Sequence, residues 1–170
     1  ITNAALQPKI KANSIQKVNN KLQKIFSAAQ SFKAENTLNI KTPQGDEFQT
    51  KLYQAKNEKG KTIGYAFNAV GSGFADKITL IVAVDSDLNN ILGFATLQSN
   101  ETPGFGDRIK NAYYKDQFRN IPAKQLSLVK TGNPEKKDSE IVAISGATVS
   151  SQAVVDIINN ALKQVKNKIN

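Results

Sequence analysis

The pattern of apolar and polar residues predicts two amphipathic helices that flank a series of strands. Apolar residues recur every three or four positions between Ser14 and Phe32, and again from Val149 to Val165. This spacing places them on one face of a helix, and the hydroxyl of Ser14 is suited to cap the first one. The apolar positions of that first helix are Ile15, Val18, Leu22, Ile25, Phe26, Ala29 and Phe32.

Between the helices, apolar and polar residues alternate as they do in half-buried strands. Two such stretches centre on Thr50 and Tyr65, and turns rich in Gly, Pro, Asn and Asp bound them. The run Ile78–Val84 is almost wholly apolar and β-branched, which predicts a central strand covered on both faces. Further strands are expected over Ile91–Leu97, Gln125–Lys130 and Glu140–Ile144, with a short helix around Ile109, Ala112 and Phe118.

The order of these elements predicts an α+β fold, with a curved, half-barrel-like antiparallel sheet packed by the N-terminal and C-terminal helices. The chain of 170 residues suits one domain, which we expect to span residues 14–170. Residues 1–13 are polar and contain Pro8, so they are interpreted as a lead-in.

The absence of three residue types restricts the chemistry. The sequence has no Cys, His or Met, which excludes ordinary zinc, iron–sulfur, copper and haem sites. It also excludes nucleophilic pairs built on Cys–His or Ser–His. A redox function would therefore need a bound organic cofactor, and acid–base chemistry would fall to Asp, Glu, Lys or Tyr.

The net charge of +9 is carried almost entirely by lysines that are scattered along the chain. Arg108 and Arg119 are the only arginines, and no segment has a nucleic-acid-binding motif. We interpret the charge as a solvated, Lys-rich surface and expect no nucleic-acid partner. No apolar run approaches the roughly 20 residues that span a bilayer.

Ser145-Gly146-Ala147-Thr148-Val149-Ser150-Ser151 separates a predicted strand from the long C-terminal helix. Taken alone, it is typical of a turn with a hydroxyl that caps a helix. The same arrangement also suits a phosphate site, because N–H groups at a helix N-terminus bind anions and small residues allow close approach. Four hydroxyls in seven residues would add hydrogen-bond partners.

Three further loops carry candidate motifs. The first, Glu101-Thr102-Pro103-Gly104-Phe105-Gly106-Asp107-Arg108, places an aromatic ring between two glycines, which suits contact with a flat ligand or a plug in the core. The second, Gly71–Asp76, lacks the third glycine of a dinucleotide fingerprint and is interpreted as a bulge or turn near a ligand. The third, Asp85–Asn89, has the opening spacing of an EF-hand loop but lacks its glycine and bidentate acid, so a hairpin turn is expected.

The loop Glu101–Gly106 and the segment Ser145–Ser150, in this order, resemble the FMN-binding domain of the G subunit of the Rnf electron-transport complex. The C subunit of the sodium-translocating NADH:quinone reductase is similar, and the stretch Gly64–Asp85 also resembles this family. The resemblance implies that a magnesium-dependent flavin transferase moves FMN from FAD onto Thr148 as a phosphoester. The implied cofactor-binding residues are Thr148, Ser145, Gly146, Ala147, Val149, Ser150, Glu101, Thr102, Pro103, Gly104, Phe105 and Gly106.

The resemblance further implies an electron carrier without catalytic residues, a metal site or a soluble substrate of its own. Its partners would be the other subunits of a membrane complex that pumps Na⁺ or H⁺. One N-terminal helix, removed ahead of the lead-in of residues 1–13, would anchor it to the cell membrane, with this domain on the extracytoplasmic side.

One position departs from the family's pattern, which has an aspartate where this chain has Val142. Two alternatives stay open beside the covalent electron carrier, and the departure at Val142 supports the first of them. One is a reductase domain of the same fold that binds FMN without the covalent bond. The other is a flavin-free extracytoplasmic module that binds an acidic partner through its Lys-rich surface.

Overall fold

The computed structural model describes residues 17–101 and 103–169, apart from the side chain of Glu35. Helix α1 runs through residues 17–25. Five long strands follow: β1 (Ser31–Lys41), β2 (Glu47–Lys56), β3 (Thr62–Ser72), β4 (Lys77–Asp85) and β5 (Asn90–Ser99). Next come a 3-10 turn (Gly106–Lys110), α2 (Ala112–Lys115) and a second 3-10 turn (Asp116–Phe118). The chain continues through β6 (Ile121–Pro122), β7 (Ser127–Val129), β8 (Glu140–Val142) and α3 (Thr148–Ile169). The expected lead-in, the capping Ser14 and Ile15 lie outside the described residues.

Strands β1 to β6 form one sheet in sequence order, and every neighbouring pair is antiparallel. The edge strands β1 and β6 do not pair with each other, so the sheet is not closed into a barrel. The predicted α+β fold, an antiparallel sheet packed by helices, is confirmed. One local difference is that β7 and β8 pair in parallel as a separate two-stranded sheet.

β4 is the central strand that the apolar run Ile78–Val84 predicts. Leu80 and Val82 point into a core shared with α3, where they meet residues such as Ile158. Ile81 and its neighbours on the opposite face pack against Leu22 of α1. Both faces are covered because side chains alternate along a strand, which explains why this segment carries almost no polar residues.

The prediction of one helix reaching Phe32 is wrong for residues 26–32. Helix α1 ends at residue 25, and β1 begins at Ser31. Phe32 lies in β1 opposite Ala55, and a bulge between Ala34 and Asn36 shifts the register. Phe26 and Ala29 remain buried in the same core as Leu22, whereas at Phe32 pairing with β2 overrides the local helical preference.

Residues 143–147 join β8 to α3, and buried hydrogen bonds fix this junction. The Ile144 N–H donates to Ser151 Oγ at 3.0 Å, and the Ser151 hydroxyl donates to the Ala147 carbonyl at 2.8 Å. The fully buried Tyr114 hydroxyl donates to the Ser151 carbonyl. The start of α3 is therefore held rigidly against the segment that follows β5.

Candidate functional site

A pocket of about 420 Å³ lies where the loop after β5 meets the start of α3. The turn after β3 forms a third wall. The pocket is lined by Phe74, Phe105, Gly106, Gly146, Ala147, Thr148, Val149 and Ser150. The fold therefore brings together the two loops that carry the family resemblance, although some forty residues separate them in sequence.

Exposed apolar side chains are concentrated at this pocket. Phe74, Phe105 and Val149 are 68%, 55% and 57% exposed, and each lines it. Among the large apolar side chains that the structure describes as exposed, only Tyr113 does not line it. Exposed aromatic rings around a recess are typical of a ligand site rather than of a core. Two such rings suit a flat, aromatic ligand.

The N-terminus of α3 opens onto the same pocket. The first turn of a helix has N–H groups without helical acceptors, and those of Thr148, Val149 and Ser150 donate to no acceptor within residues 17–101 and 103–169. Gly146 precedes them with a φ of +82°, a conformation that favours glycine. Free N–H groups and the helix dipole together make this end of the pocket suited to a phosphate.

Only two of the four hydroxyls in this segment are available to a ligand. Ser150 and Ser151 are buried and make hydrogen bonds inside the protein. Ser145 and Thr148 are exposed, and neither hydroxyl has a hydrogen-bond partner in the described part of the chain. Thr148 also lines the pocket at the first position of α3, so its hydroxyl is the one best placed for chemistry there.

The carboxylate of Glu101 connects two walls of the pocket through hydrogen bonds. Its side chain is only 4% exposed. It accepts hydrogen bonds from the Phe74 N–H at 2.6 Å, the Ala75 N–H at 2.7 Å and the Ser150 hydroxyl at 2.7 Å. Glu101 therefore links the turn after β3 to the first turn of α3.

Two opposing effects set the charge state of Glu101. Burial raises the pKa of its carboxyl group, but hydrogen bonds from Ser150, Ala75 and Phe74 lower the pKa by more. The net pKa lies below the usual glutamate value, so the group is ionised at neutral pH. The turn after β3 is thus ordered around a buried negative charge.

The site also includes Arg108, which ends the loop motif Glu101–Arg108 but is not among the predicted cofactor-binding residues. Its guanidinium donates to the carbonyl of Ser145 and, at 3.4 Å, to the carbonyl of Phe105. It also lies 3.4 Å from the position that a Cβ atom would take at Gly146. Arg108 thus connects the two loops and places a positive charge beside the start of α3. The signal for Arg108 in the sequence was its place at the end of this loop motif.

Not all of the remaining predicted site residues line the pocket. Pro103 and Gly104 are exposed but do not line the pocket, and Thr102 lies outside the described residues. The turn containing Phe74, predicted to lie near a ligand, does line the pocket.

Asp85–Asn89 forms the expected hairpin turn, in which the Leu88 N–H donates to the Asp85 carbonyl. Within the described ranges, no group of three Asp or Glu residues is arranged to hold a metal ion.

Gly106 has no room for a side chain, which gives a test of the packing around Glu101. A Cβ atom there would lie 2.5 Å from Ser150 Oγ and 2.8 Å from Glu101 Cβ. We expect Gly106→Ala to lower the free energy of unfolding in urea by about 1–3 kcal/mol through overpacking. Gly132→Ala is the control, because its nearest neighbour is 3.3 Å away and neither glycine has a positive φ. Equal losses in the two variants would contradict this packing.

Comparison with known proteins assigns the region that contains this pocket to a protein family. A family model described as the FMN-binding domain matches residues 73–163, more than half of the chain. The G subunit of an ion-translocating oxidoreductase complex from Methanosarcina acetivorans is 35% identical over 113 residues, covering 66% of this chain and 57% of that relative. The G subunit of a proton-translocating ferredoxin:NAD(+) oxidoreductase complex from Clostridium ljungdahlii is 31% identical over 134 residues, covering 76% and 70%. The chain thus spans little more than half of the archaeal relative's length.

Solved structures give the same fold. The Shewanella oneidensis NqrC structure superposes with a TM-score of 0.66 at 20% identity, covering 85% of this chain and 88% of that one. The C subunit of a Na(+)-translocating NADH-quinone reductase from Parabacteroides distasonis superposes with a TM-score of 0.59 at 22% identity, covering 78% and 77%. Across the described residues, no helix is both long and apolar enough to cross a membrane.

Proposed function

The chain belongs to the FMN-binding domain family, and from this membership we propose that the pocket at the start of α3 holds one FMN and that the protein carries electrons. FMN supplies reversible electron transfer through its isoalloxazine ring. The observation that carries the proposal is the joining of exposed aromatic rings and a free helix N-terminus in one pocket. The chain offers no His or Cys for chemistry of its own.

The residues of the pocket fit the two ends of this cofactor. Phe74 and Phe105 present exposed rings that would pack against the flat isoalloxazine. The N–H groups that begin α3 would donate to the phosphate, and Arg108 would add a positive charge beside it. Glu101 would hold these walls at a fixed separation without contacting the cofactor.

We further propose that the phosphate is joined covalently to Thr148. Its exposed hydroxyl lines the pocket at the first helical position and is free of protein partners in the described part of the chain. Thr148 Oγ1 would form a bond to the phosphorus that carries the flavin side of FAD. The pyrophosphate bond would break, AMP would leave, and the hydroxyl proton would pass to solvent or to the flavin transferase. The phosphoester would retain a negative charge at the helix N-terminus, where the dipole favours it.

The names of the relatives suggest the setting of this domain. The relatives from Methanosarcina acetivorans and Clostridium ljungdahlii are named as G subunits of ion-translocating oxidoreductase complexes. We propose that this chain is likewise a subunit of a membrane electron-transport complex, with the other subunits and the flavin transferase as partners. An N-terminal anchor and an extracytoplasmic position complete this proposal.

A second candidate function is a domain that binds FMN without the bond to Thr148. The observation that favours it is Val142, six residues before Thr148, where the resembling family has an aspartate. Val142 is half-buried. Its backbone N–H donates a hydrogen bond to the Gln117 side chain, and its carbonyl accepts one from the same side chain. The site therefore offers no carboxylate at this position for a transferase to contact.

Acid precipitation of the protein, after co-expression with a flavin transferase, separates the two candidates. The covalent carrier is expected to give a yellow pellet, because a phosphoester is not broken by unfolding. The non-covalent domain would give a colourless pellet and a yellow supernatant. Protein that is colourless before precipitation, even after incubation with excess FMN, would contradict both candidates.

A further inference from the structure

A second recess lies on the part of the protein between α1, β5 and α2. It has a volume of about 290 Å³ and shares no lining residue with the pocket at the start of α3. It is lined by Lys21, Lys24, Ile25, Gly93, Phe94, Ala95, Lys110, Ala112, Lys115, Asp116 and Arg119. The proposed electron carrier does not use any of these residues.

Small residues on β5 create this recess. Gly93 and Ala95 line it at positions of a sheet where larger side chains are usual. Gly93 has a φ of +152°, and the register of β4 against β5 shifts next to it. A Cβ atom at Gly93 would lie 3.5 Å from Ile25 and 3.7 Å from Arg119, so it would reduce the space between the walls. The recess therefore results from the small residues at these two positions of β5.

The walls of the recess carry a strong excess of positive charge. Its lining has five cationic side chains and one carboxylate, a net charge of four positive units. The carboxylate, Asp116, lies 4.0 Å from Arg119, which leaves four lysines without a described carboxylate partner. Although the lysines of this chain are scattered along the sequence, the fold brings these four together from helix α1, a 3-10 turn and α2.

The lysines of the recess repel one another, and Lys17 outside its lining adds to this repulsion. The pKa of Lys21 is lowered, first by burial and then by repulsion from Lys17, Lys115, Lys24 and Lys110. Like charges held this close raise the free energy of the protein in the absence of an anion. A bound anion would relieve the repulsion, so the recess has a source of binding energy that an isolated surface lysine lacks.

We propose that this recess binds a compact anion that carries phosphate groups. A phosphate or pyrophosphate concentrates several negative charges in a small volume, and lysine ammonium groups bind it as point charges. A concave site lined from several sides matches such a group better than the flatter surface of an acidic protein. A soluble molecule and the headgroup of an anionic phospholipid both supply this chemistry, and the experiment distinguishes the two sources.

The test uses three probes and two variants of the full chain at low salt, where charge interactions are least screened. The probes are inorganic pyrophosphate, polyglutamate, and vesicles of phosphatidylglycerol and phosphatidylcholine in equal parts. The recess variant is Lys21→Gln/Lys110→Gln/Lys115→Gln. The control, Lys51→Gln/Lys59→Gln/Lys61→Gln, removes the same number of charges from exposed positions on β2 and the β2–β3 turn. Calorimetry measures pyrophosphate and polyglutamate, co-sedimentation measures vesicles, and thermal melting confirms that each variant is folded.

The proposal predicts that pyrophosphate or the vesicles bind the parent chain and that the recess variant binds about tenfold or more weakly, while the control stays within about threefold. Binding of pyrophosphate in free solution supports a soluble phosphate, and binding of vesicles alone supports a phospholipid headgroup. Equal weakening in both variants would show a response to overall charge and would overturn the proposal. Failure of both phosphate probes, with or without binding of polyglutamate, would also overturn it.

Discussion

Replacing Thr148 with alanine is expected to abolish covalent flavin in protein that is co-expressed with a flavin transferase. The hydroxyl of Thr148 is exposed, lines the pocket and has no hydrogen-bond partner among the described residues. Ser150 and Ser151, the nearest alternatives within α3, are buried and already bonded. Absorbance of the acid-washed pellet measures the loss, which should be complete because no other hydroxyl in α3 is free to replace it.

Two matched variants distinguish the loss of this hydroxyl from a general disturbance of the turn. Thr148→Ser keeps a hydroxyl at the same backbone position, so flavin attachment should be retained at least in part. Ser145→Ala removes the other exposed hydroxyl of the segment and should leave attachment unchanged. Undiminished flavin on Thr148→Ala, or equal loss in Thr148→Ala and Ser145→Ala, would contradict the assignment of Thr148.

Replacing Glu101 with alanine is expected to have the largest effect on stability near the pocket. The change would leave the backbone N–H groups of Phe74 and Ala75 and the buried Ser150 hydroxyl without the carboxylate that accepts their hydrogen bonds. Because hydrogen bonds to a buried charge are costly to lose, we expect the free energy of unfolding in urea to fall by about 3 kcal/mol. The turn carrying Phe74 should also lose amide hydrogen-exchange protection.

Glu101→Gln gives the matched control for this prediction, because an amide keeps the size and one acceptor oxygen. Its destabilisation should be smaller than that of Glu101→Ala. A loss within about 0.5 kcal/mol for Glu101→Ala, the range of ordinary surface substitutions, would contradict the positioning role of the carboxylate.

The pH dependence of stability follows from the same group. Burial raises the pKa of Glu101, but its hydrogen bonds lower the pKa by a larger amount. The folded-state pKa therefore lies below the unfolded-state value. The stabilisation is therefore present above the usual glutamate pKa and is lost as the pH falls through the folded-state pKa. The parent chain should lose more stability on acidification than Glu101→Gln. Parallel pH profiles for the two proteins would contradict the lowered pKa.

The sheet was largely predictable from the sequence because its strands alternate or are apolar throughout. The apolar run Ile78–Val84 predicted the central strand, and the alternation around Tyr65 predicted its neighbour β3. Strand β1 was missed because Phe32 extends a helical spacing that begins in α1. Pairing with β2 decides the structure of this edge strand, and such a contact between distant segments is not visible in local periodicity.

The candidate site was predictable only in part, for a related physical reason. The loop containing Phe105 and the turn before Thr148 were recognisable, and the structure places both at one pocket. The bonds from Ser150 and Phe74 to Glu101 cross 49 and 27 residues of sequence, so no local pattern announced them. Without the family resemblance, the residue pattern did not distinguish the four hydroxyls of the segment Ser145–Ser151, whereas burial leaves only two of them accessible.

The most direct test of the central proposal is peptide mapping of the protein after co-expression with a flavin transferase. Trypsin should release residues 138–163, a peptide in which Thr148 is the only threonine. We predict that this peptide carries the added mass of FMN less one water and that fragmentation assigns it to Thr148. Recovery of the peptide without added mass, or with the flavin on Ser145 or another residue, would contradict the account.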